Sequence, residues 1–193
     1  MLPKLDAEPM WLNRAPSEPD RIVLSSVFGH DAAVTADGGA TWTVETLPDD
    51  VVALAIAPDD PGRWTFVGRE GLYRRSAPGA KWERFAVGDD DASLGGTINT
   101  AAPAPGRWGT WLVGGIDGIV RTVDDGASWD KVDGAMREGG VGTPPQPIVD
   151  VVGVSVTYAP GDADVAYAAV NQVARDPSLR GLWLSDDGGA TWR

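Results

Sequence analysis

The sequence predicts an all-β repeat protein, a β-propeller with about four four-stranded antiparallel blades visible. Three observations predict it. An octapeptide recurs along the chain, and proline-rich turns recur in step with it. The segments between them are short, rich in β-branched or aromatic residues, and bounded by Gly, Pro and Asp, as strands are. No segment carries a sustained 3.6-residue periodicity with helix caps.

The octapeptide has the form [ST]-x-D-x-G-x-[ST]-W. It appears as TADGGATW from Thr35 to Trp42, TVDDGASW from Thr122 to Trp129, and SDDGGATW from Ser185 to Trp192. An eroded copy, RSAPGAKW, ends at Trp82 and keeps only the Gly and the Trp, with Ala77 in the Asp place. The proline turns are PSEPDR from Pro16, PDDPGR from Pro58, PAPGR from Pro103 and PGDAD from Pro160.

Each proline turn is flanked by apolar or alternating runs, MWLNRA and IVLSSV around the first, VVALAIA and WTFVG around the second. Short segments such as GLYRR, GIVRT and GLWLS then lead into the octapeptide, and TVETL, ERFAV and DKV follow its Trp. The unit is therefore strand, proline turn, strand, loop, strand, Asp-Gly hairpin, strand. Successive proline landmarks are 42, 45 and 57 residues apart, and a four-stranded antiparallel unit repeating every forty-odd residues is a propeller blade. A β-sandwich also has many short strands, but it does not repeat its turn chemistry in phase. The expected blades span 8–46, 51–87, 97–133 and 151–193 of a single domain, the last without an outer strand.

Within the octapeptide each residue type has a physical task. Gly39, Gly126 and Gly189 take positive φ at a tight reversal without a Cβ penalty. Asp37, Asp124 and Asp187 accept backbone N–H groups of the turn, and the hydroxyls of Thr35, Thr122 and Ser185 join the same network. Trp42, Trp129 and Trp192 lay a large apolar face between neighbouring sheets. The three carboxylates fall on separate blades, so they are expected to be turn clamps and not a converging catalytic or metal cluster.

Composition narrows the function classes. The formal net charge is −12 and no basic cluster offsets it, which argues against nucleic acid or an anionic membrane as partner. There is no Cys, so no disulfide, thiolate metal site or Cys nucleophile exists. The single histidine, His30, excludes a multi-histidine metal centre. No phosphate-binding GxxxxGK[ST] or GxGxxG loop occurs, and no cofactor or metal is expected. The N-terminus lacks a signal-peptide core and no stretch approaches a membrane span, so the expectation is a soluble, cytoplasmic chain.

The octapeptide resembles the Asp-box, or bacterial neuraminidase repeat, of sialidases, sortilin-type propellers, xyloglucan-active endoglucanases and photosystem II assembly factors. The resemblance covers nearly the whole chain as repeats. It implies a propeller of six to eight blades, with each box a structural hairpin on a blade rim, remote from any catalytic centre. Sialidases of this kind carry an Arg-Ile-Pro segment, an arginine triad and a Tyr–Glu nucleophile pair. Here the nearest string is Arg21-Ile22-Val23, and Tyr73, Tyr158 and Tyr167 all fall within predicted strands. That departure speaks against sialidase chemistry on this chain.

In a propeller the loops between second and third strands, and between blades, gather on the face opposite the proline turns. That face is expected to hold His30 and Asp31 in FGHD, Arg69 and Glu70 in GREG, Asp117 in GGIDG, and Asn171 and Arg175 in NQVARDPSLRG. Between blades it adds LPDD at Asp49, GDDDASLGG at Asp89 to Asp91, and the long GAMREGGVGTPPQP segment. Glu70 and Asp117 occupy the same position on adjacent blades and are the best carboxylate pair for glycoside hydrolysis, which needs two carboxyls roughly 5–9.5 Å apart. The plainer reading is that both are solvated turn residues. Asp89, Asp90 and Asp91 offer oxygen ligands for Ca²⁺, but a solvated acidic loop is the expected state. His30 beside Asp31 is either an oriented base or an ordinary surface imidazole.

Two functions follow. The first is a non-catalytic scaffold whose loop face binds a protein or a carbohydrate. The alternative is a glycoside hydrolase, sialidase-like or endoglucanase-like, with part of its site outside this chain. An arc of four blades leaves apolar blade faces exposed, so the remaining blades of the propeller, from the same gene or a second chain, are expected partners.

Overall fold

The computed structural model describes residues 5, 9–26, 29–88, 98–115, 118–132, 154–170 and 181–193. Among them the regular structure is entirely β, and no helix is long and apolar enough to cross a membrane. The chain divides into two compact units, Met1–Phe85 and Ala86–Arg193.

The first unit holds two four-stranded antiparallel meanders. One runs β1 (Pro9–Arg14), β2 (Ile22–Ser26), β3 (Asp31–Thr35) and β4 (Thr43–Thr46). The other runs β5 (Val51–Ile56), β6 (Trp64–Gly68), β7 (Leu72–Arg75) and β8 (Glu83–Phe85). In the second unit β9 (Ile98–Pro103), β10 (Trp111–Gly115), β11 (Gly118–Thr122) and β12 (Asp130–Lys131) form a third such sheet. The last sheet has three strands among the described residues, β13 (Val154–Ala159), β14 (Asp162–Val170) and β15 (Gly181–Ser185). Beyond β15, Arg193 exchanges two backbone hydrogen bonds with Leu184, each 3.0 Å. Chain order equals spatial order in every sheet, which is what short hairpin connections produce.

Burial follows strand position. All five residues of β6 and all five of β10 are buried, so WTFVG and WLVGG read as continuous apolar runs. The fourth strands β4 and β8 are largely exposed, and their polar sequences, TVET and ERF, match that. In the first unit Val23, Leu54, Trp64, Phe66 and Tyr73 belong to one apolar core, with Trp82 packed against it. Phe66 stacks on Tyr73 at 4.9 Å and meets Trp82 edge-on at 5.0 Å. The second unit's core joins Leu112 and Ile119 of one sheet to Val154, Val156, Tyr158 and Trp192 of the next. Each such large side chain contributes about 1.5–3 kcal/mol on burial.

The turns divide between two ends of each sheet. The proline hairpin and the octapeptide hairpin share one end. Gly38 N donates to Asp20 O (2.9 Å), Asp125 N to Gly109 O (2.8 Å) and Gly188 N to Asp164 O (2.7 Å), each tying an octapeptide to its own sheet's first hairpin. The opposite end carries the β2–β3 and β6–β7 loops and the β4–β5 connection.

Candidate functional site

The three full octapeptides form one repeated network. Thr35 Oγ1 donates to Asp37 Oδ1 (2.7 Å) and accepts from Asp37 N and Gly39 N (3.2 and 2.9 Å). Thr41 N donates to Asp37 Oδ1 (2.8 Å) and Thr41 Oγ1 to Oδ2 (2.6 Å). Thr122, Asp124, Gly126 and Ser128 repeat every bond, as do Ser185, Asp187, Gly189 and Thr191. Both oxygens of each carboxylate are therefore committed to the turn. The bonds from the Thr41 hydroxyl and amide hold the Asp37 carboxyl down at about 2. For Asp187 burial works the other way, but bonds from Thr191 and Ser185 outweigh it and its pKa is also about 2. Asp124 is lowered in the same sense, mainly by Ser128.

The backbone explains the glycines. In the turn itself Gly38 and Gly39 stand at φ +67° and +96°, and Gly188 and Gly189 at +73° and +86°. Two successive positive φ values are the type I′ hairpin geometry. Asp125 takes the first of these positions at φ +59°, the only non-glycine residue with positive φ among those described. Trp42 Nε1 donates to Gly39 O at 3.0 Å, while Trp192 is buried against the core of the second unit. A Cβ at Gly189 would lie 2.6 Å from Leu112 Cδ2, so the last turn also needs glycine to seat against β10 of the neighbouring sheet. Arg121 Nε and Tyr158 Oη both donate to Gly188 O, at 2.9 and 3.2 Å.

The eroded copy is built differently. Pro78 stands where Gly38 and Gly188 stand, and its ring excludes positive φ and has no N–H to donate. Gly79 has φ +74° and Ala80 N donates to Ala77 O at 3.1 Å, a type II turn with proline in its favoured place. Pro78 packs instead against Gly62 of the first hairpin, where an added Cβ would fall 2.6 Å from its Cδ. Arg75 replaces the first hydroxyl. It is 4% exposed, pairs through Nη1 with Glu45 of β4, and lies 3.9 Å from the Trp64 ring centroid and 4.9 Å from that of Trp82. Its Nε and Nη2 meet no acceptor among the described residues.

The opposite end of the first unit gathers the charged loop residues. Leu47 N donates to His30 O at 2.6 Å, drawing the β2–β3 loop against the β4–β5 connection. From that connection Asp50 faces His30 Nε2 at 3.5 Å and Arg69 Nε at 3.8 Å. Asp49, 6% exposed, accepts from Asp50 N through Oδ1 and from Glu70 N through Oδ2, both at 2.8 Å. Tyr73 is buried behind them; burial first, then the Asp49 charge, pushes its hydroxyl pKa up. Arg84 Nη2 donates to Glu70 O, and Gly68 N to Gly71 O at 2.8 Å. The side chains of His30 and Glu70 are exposed, and that of Arg69 is partly so.

Sequence reasoning places His30, Arg69 and Glu70 on one face, and these three lie together with Asp49. Asp31 opens β3 beside them, its carbonyl accepting from Ser26 Oγ at 3.2 Å. Asp117, Asn171, Arg175 and Asp89 to Asp91 lie outside the described residues, so the pairing of Glu70 with Asp117 has no geometry here. Among the described residues no three His, Asp or Glu side chains gather as a metal set requires. The roles of Asp50, Tyr73 and Arg84, and of Arg75 with Glu45, escape the sequence reading. The Arg in place of the conserved-pattern hydroxyl of RSAPGAKW is the signal for the last pair.

No protein-family model matches the chain, and no curated protein matches it in sequence. Solved structures do. An ancestral GH74 enzyme is 16% identical with a TM-score of 0.63, over 99% of this chain and 24% of that one. YCF48 from Cyanidioschyzon merolae is 16% identical with a TM-score of 0.63, over 100% of this chain and 57% of that one. Hydrazine synthase from Kuenenia stuttgartiensis is 13% identical with a TM-score of 0.62, over 100% of this chain and 49% of that one. The chain thus spans from about a quarter to just over half the length of these structures. At such identities the likeness carries the fold alone: the sheets are blades of a β-propeller type.

Proposed function

We propose that the chain is a binding module, an Asp-box β-propeller segment whose loop face recognises a protein or a carbohydrate and performs no chemistry of its own. The observation that carries this is the loop 68–71: the peptide groups of Glu70 are fixed by buried Asp49 and by Arg84, while the Glu70 side chain is exposed and that of Arg69 partly so. The acidic groups behind it are occupied, Asp49 by two amides and Asp50 by His30 and Arg69. A fixed loop with outward polar side chains suits recognition. The octapeptides, at the other end of each blade, supply rigidity. His30, Asp31, Arg69, Glu70, Asp117, Asn171 and Arg175 form the proposed face, on blades spanning 8–46, 51–87, 97–133 and 151–193.

The second reading is a glycoside hydrolase with Glu70 and Asp117 as its carboxylates. The likeness to an ancestral GH74 enzyme and the exposed, fixed position of Glu70 favour it. Panels of immobilised peptides and glycans, with aryl-glycosides and β-glucans assayed for hydrolysis, separate the two. Capture without turnover, weakened at least about tenfold by Arg69→Ala and Glu70→Ala at unchanged melting temperature, is the expected result. Turnover abolished by Glu70→Gln and by Asp117→Asn overturns it.

A further inference from the structure

The loop 68–71 is held more tightly than a hairpin requires. Gly68 N already closes it on Gly71 O, which is enough to reverse the chain. Beyond this, both ends of residue 70 are gripped from elsewhere: its N–H by Asp49, 21 residues earlier in the connection between blades, and its C=O by Arg84 of β8. Gly68 has no side chain where Asp49 sits: a Cβ there would lie 2.3 Å from Asp49 Oδ2 and 2.9 Å from its Cβ. Gly71 leaves room for the other grip, since a Cβ there would fall 3.2 Å from Arg84 Nε and 2.6 Å from Phe85 O.

Asp49 is thus a buried carboxylate whose oxygens both serve backbone amides of candidate face residues, Asp50 and Glu70. A carboxylate costs free energy to bury unless it is hydrogen-bonded, and one placed in a connection between blades is not needed to close any sheet. We propose that Asp49 is the positioning residue of the loop face: its carboxylate locks loop 68–71 so that Arg69 and Glu70, with Asp50 and His30 beside them, meet a partner in one fixed arrangement. The proposal rests on the binding reading of that face. It goes beyond it by placing the control of recognition in a residue that touches no partner.

Two arms test it. The first is residue-resolved amide exchange, which needs no ligand. In the wild type the Glu70 amide, though in a surface loop, exchanges slowly; Asp49→Asn, whose side chain offers only one acceptor, speeds it about tenfold or more. The amides of Phe66 and Val67 in buried β6, and the melting temperature, are expected to stay unchanged. Unchanged Glu70 exchange overturns the clamp, and so does a loss of protection spread evenly through β6. Gly68→Ala is the second variant, since it displaces the carboxylate without removing it and is expected to release the same amide.

The second arm is selection from a displayed random 12-residue peptide library, together with an immobilised β-glucan panel, on wild type, Arg69→Ala and Asp49→Asn. Enrichment on the wild type that both variants lose supports positioning. Enrichment that Arg69→Ala loses and Asp49→Asn keeps overturns it. If the wild type captures neither peptide nor glucan, the binding reading fails by itself and takes the positioning role with it, while the exchange arm still decides whether Asp49 fixes the loop.

Discussion

At Trp42 the hairpin is closed within eight residues, by one carboxylate and two hydroxyls. At Trp82, one blade further on, the same reversal has none of the three. A buried guanidinium stands where the first hydroxyl was, and it reaches across to Glu45 on the preceding blade. The first arrangement is self-contained, so the turn belongs to its own blade. The second is shared, so the turn of one blade depends on the outer strand of another. Pro78 deepens the contrast, because it removes the amide that in the other copies binds the first hairpin, and replaces that bond by ring contact with Gly62. A lost motif here is therefore an exchange of local polar closure for packing and an ion pair between blades.

The largest effect is expected where the closure is shared. Glu45→Ala leaves the Arg75 guanidinium buried and without its carboxylate, at a cost of about 3 kcal/mol, the low end for a buried pair because Glu45 is partly exposed. Urea unfolding reads it, and a cost under about 0.5 kcal/mol would equate Arg75 with a spectator.

Next comes a matched pair of glycines. Gly188→Ala and Gly79→Ala face nearly the same φ, +73° and +74°, but a Cβ at Gly188 lies 2.9 Å from Ala163 O and one at Gly79 meets nothing within 4 Å. Gly79→Ala should cost about 1 kcal/mol for backbone strain alone, and Gly188→Ala clearly more. Equal costs would dissolve the distinction between docked and free turns.

Asp124→Ala removes the acceptor for three donors in a solvent-washed turn and should cost about 1 kcal/mol by the same measurement, as loss of a helix cap does.

The acid limb offers a gentler probe. Asp37 and Asp187 have carboxyls near 2 in the fold against 3.8 unperturbed. A depressed pKa means that their contribution is complete above about 3.8 and is lost as pH falls through about 2. In Asp187→Asn the fall of stability across that window is expected to be shallower than in the wild type. The smallest effect belongs to Ala77→Asp, within about 0.5 kcal/mol, since Arg75 and Lys81 stand where the two hydroxyl partners would be needed.

The contrast between the two hairpins also marks what the sequence makes legible. Thr35, Asp37, Gly39 and Thr41 interact within a few residues, so their chemistry is written contiguously and repeats visibly. The strands are legible for the same reason, through short bounded runs in phase. Arg75 and Glu45 are 30 residues apart, and only the packing of two sheets brings them together. Asp49 is visible as part of an interblade loop, but its burial is not, because that depends on Gly68 leaving room. His30 suggests Asp31 as its neighbour in the chain, whereas the fold gives it Asp50.

The octapeptides have a chemical consequence as well as a mechanical one. Among aspartyl dipeptides Asp-Gly is the most open to spontaneous ageing: the glycine nitrogen attacks the aspartyl carboxyl and expels water, closing a succinimide ring whose hydrolysis leaves mostly isoaspartate. The octapeptides carry the pair at Asp37-Gly38, Asp125-Gly126 and Asp187-Gly188, three of the five in the chain, the others being Asp117-Gly118 and Asp133-Gly134. In the hairpins each of these nitrogens is already donating, Gly38 to Asp20 O, Gly188 to Asp164 O and Gly126 to Thr122 Oγ1. The carboxyls of Asp37 and Asp187 are also held ionised, the form that resists attack. Folding thus shields the three octapeptide bonds, and isoaspartate accumulating at Asp37 or Asp187 becomes a record of the time this protein has spent unfolded.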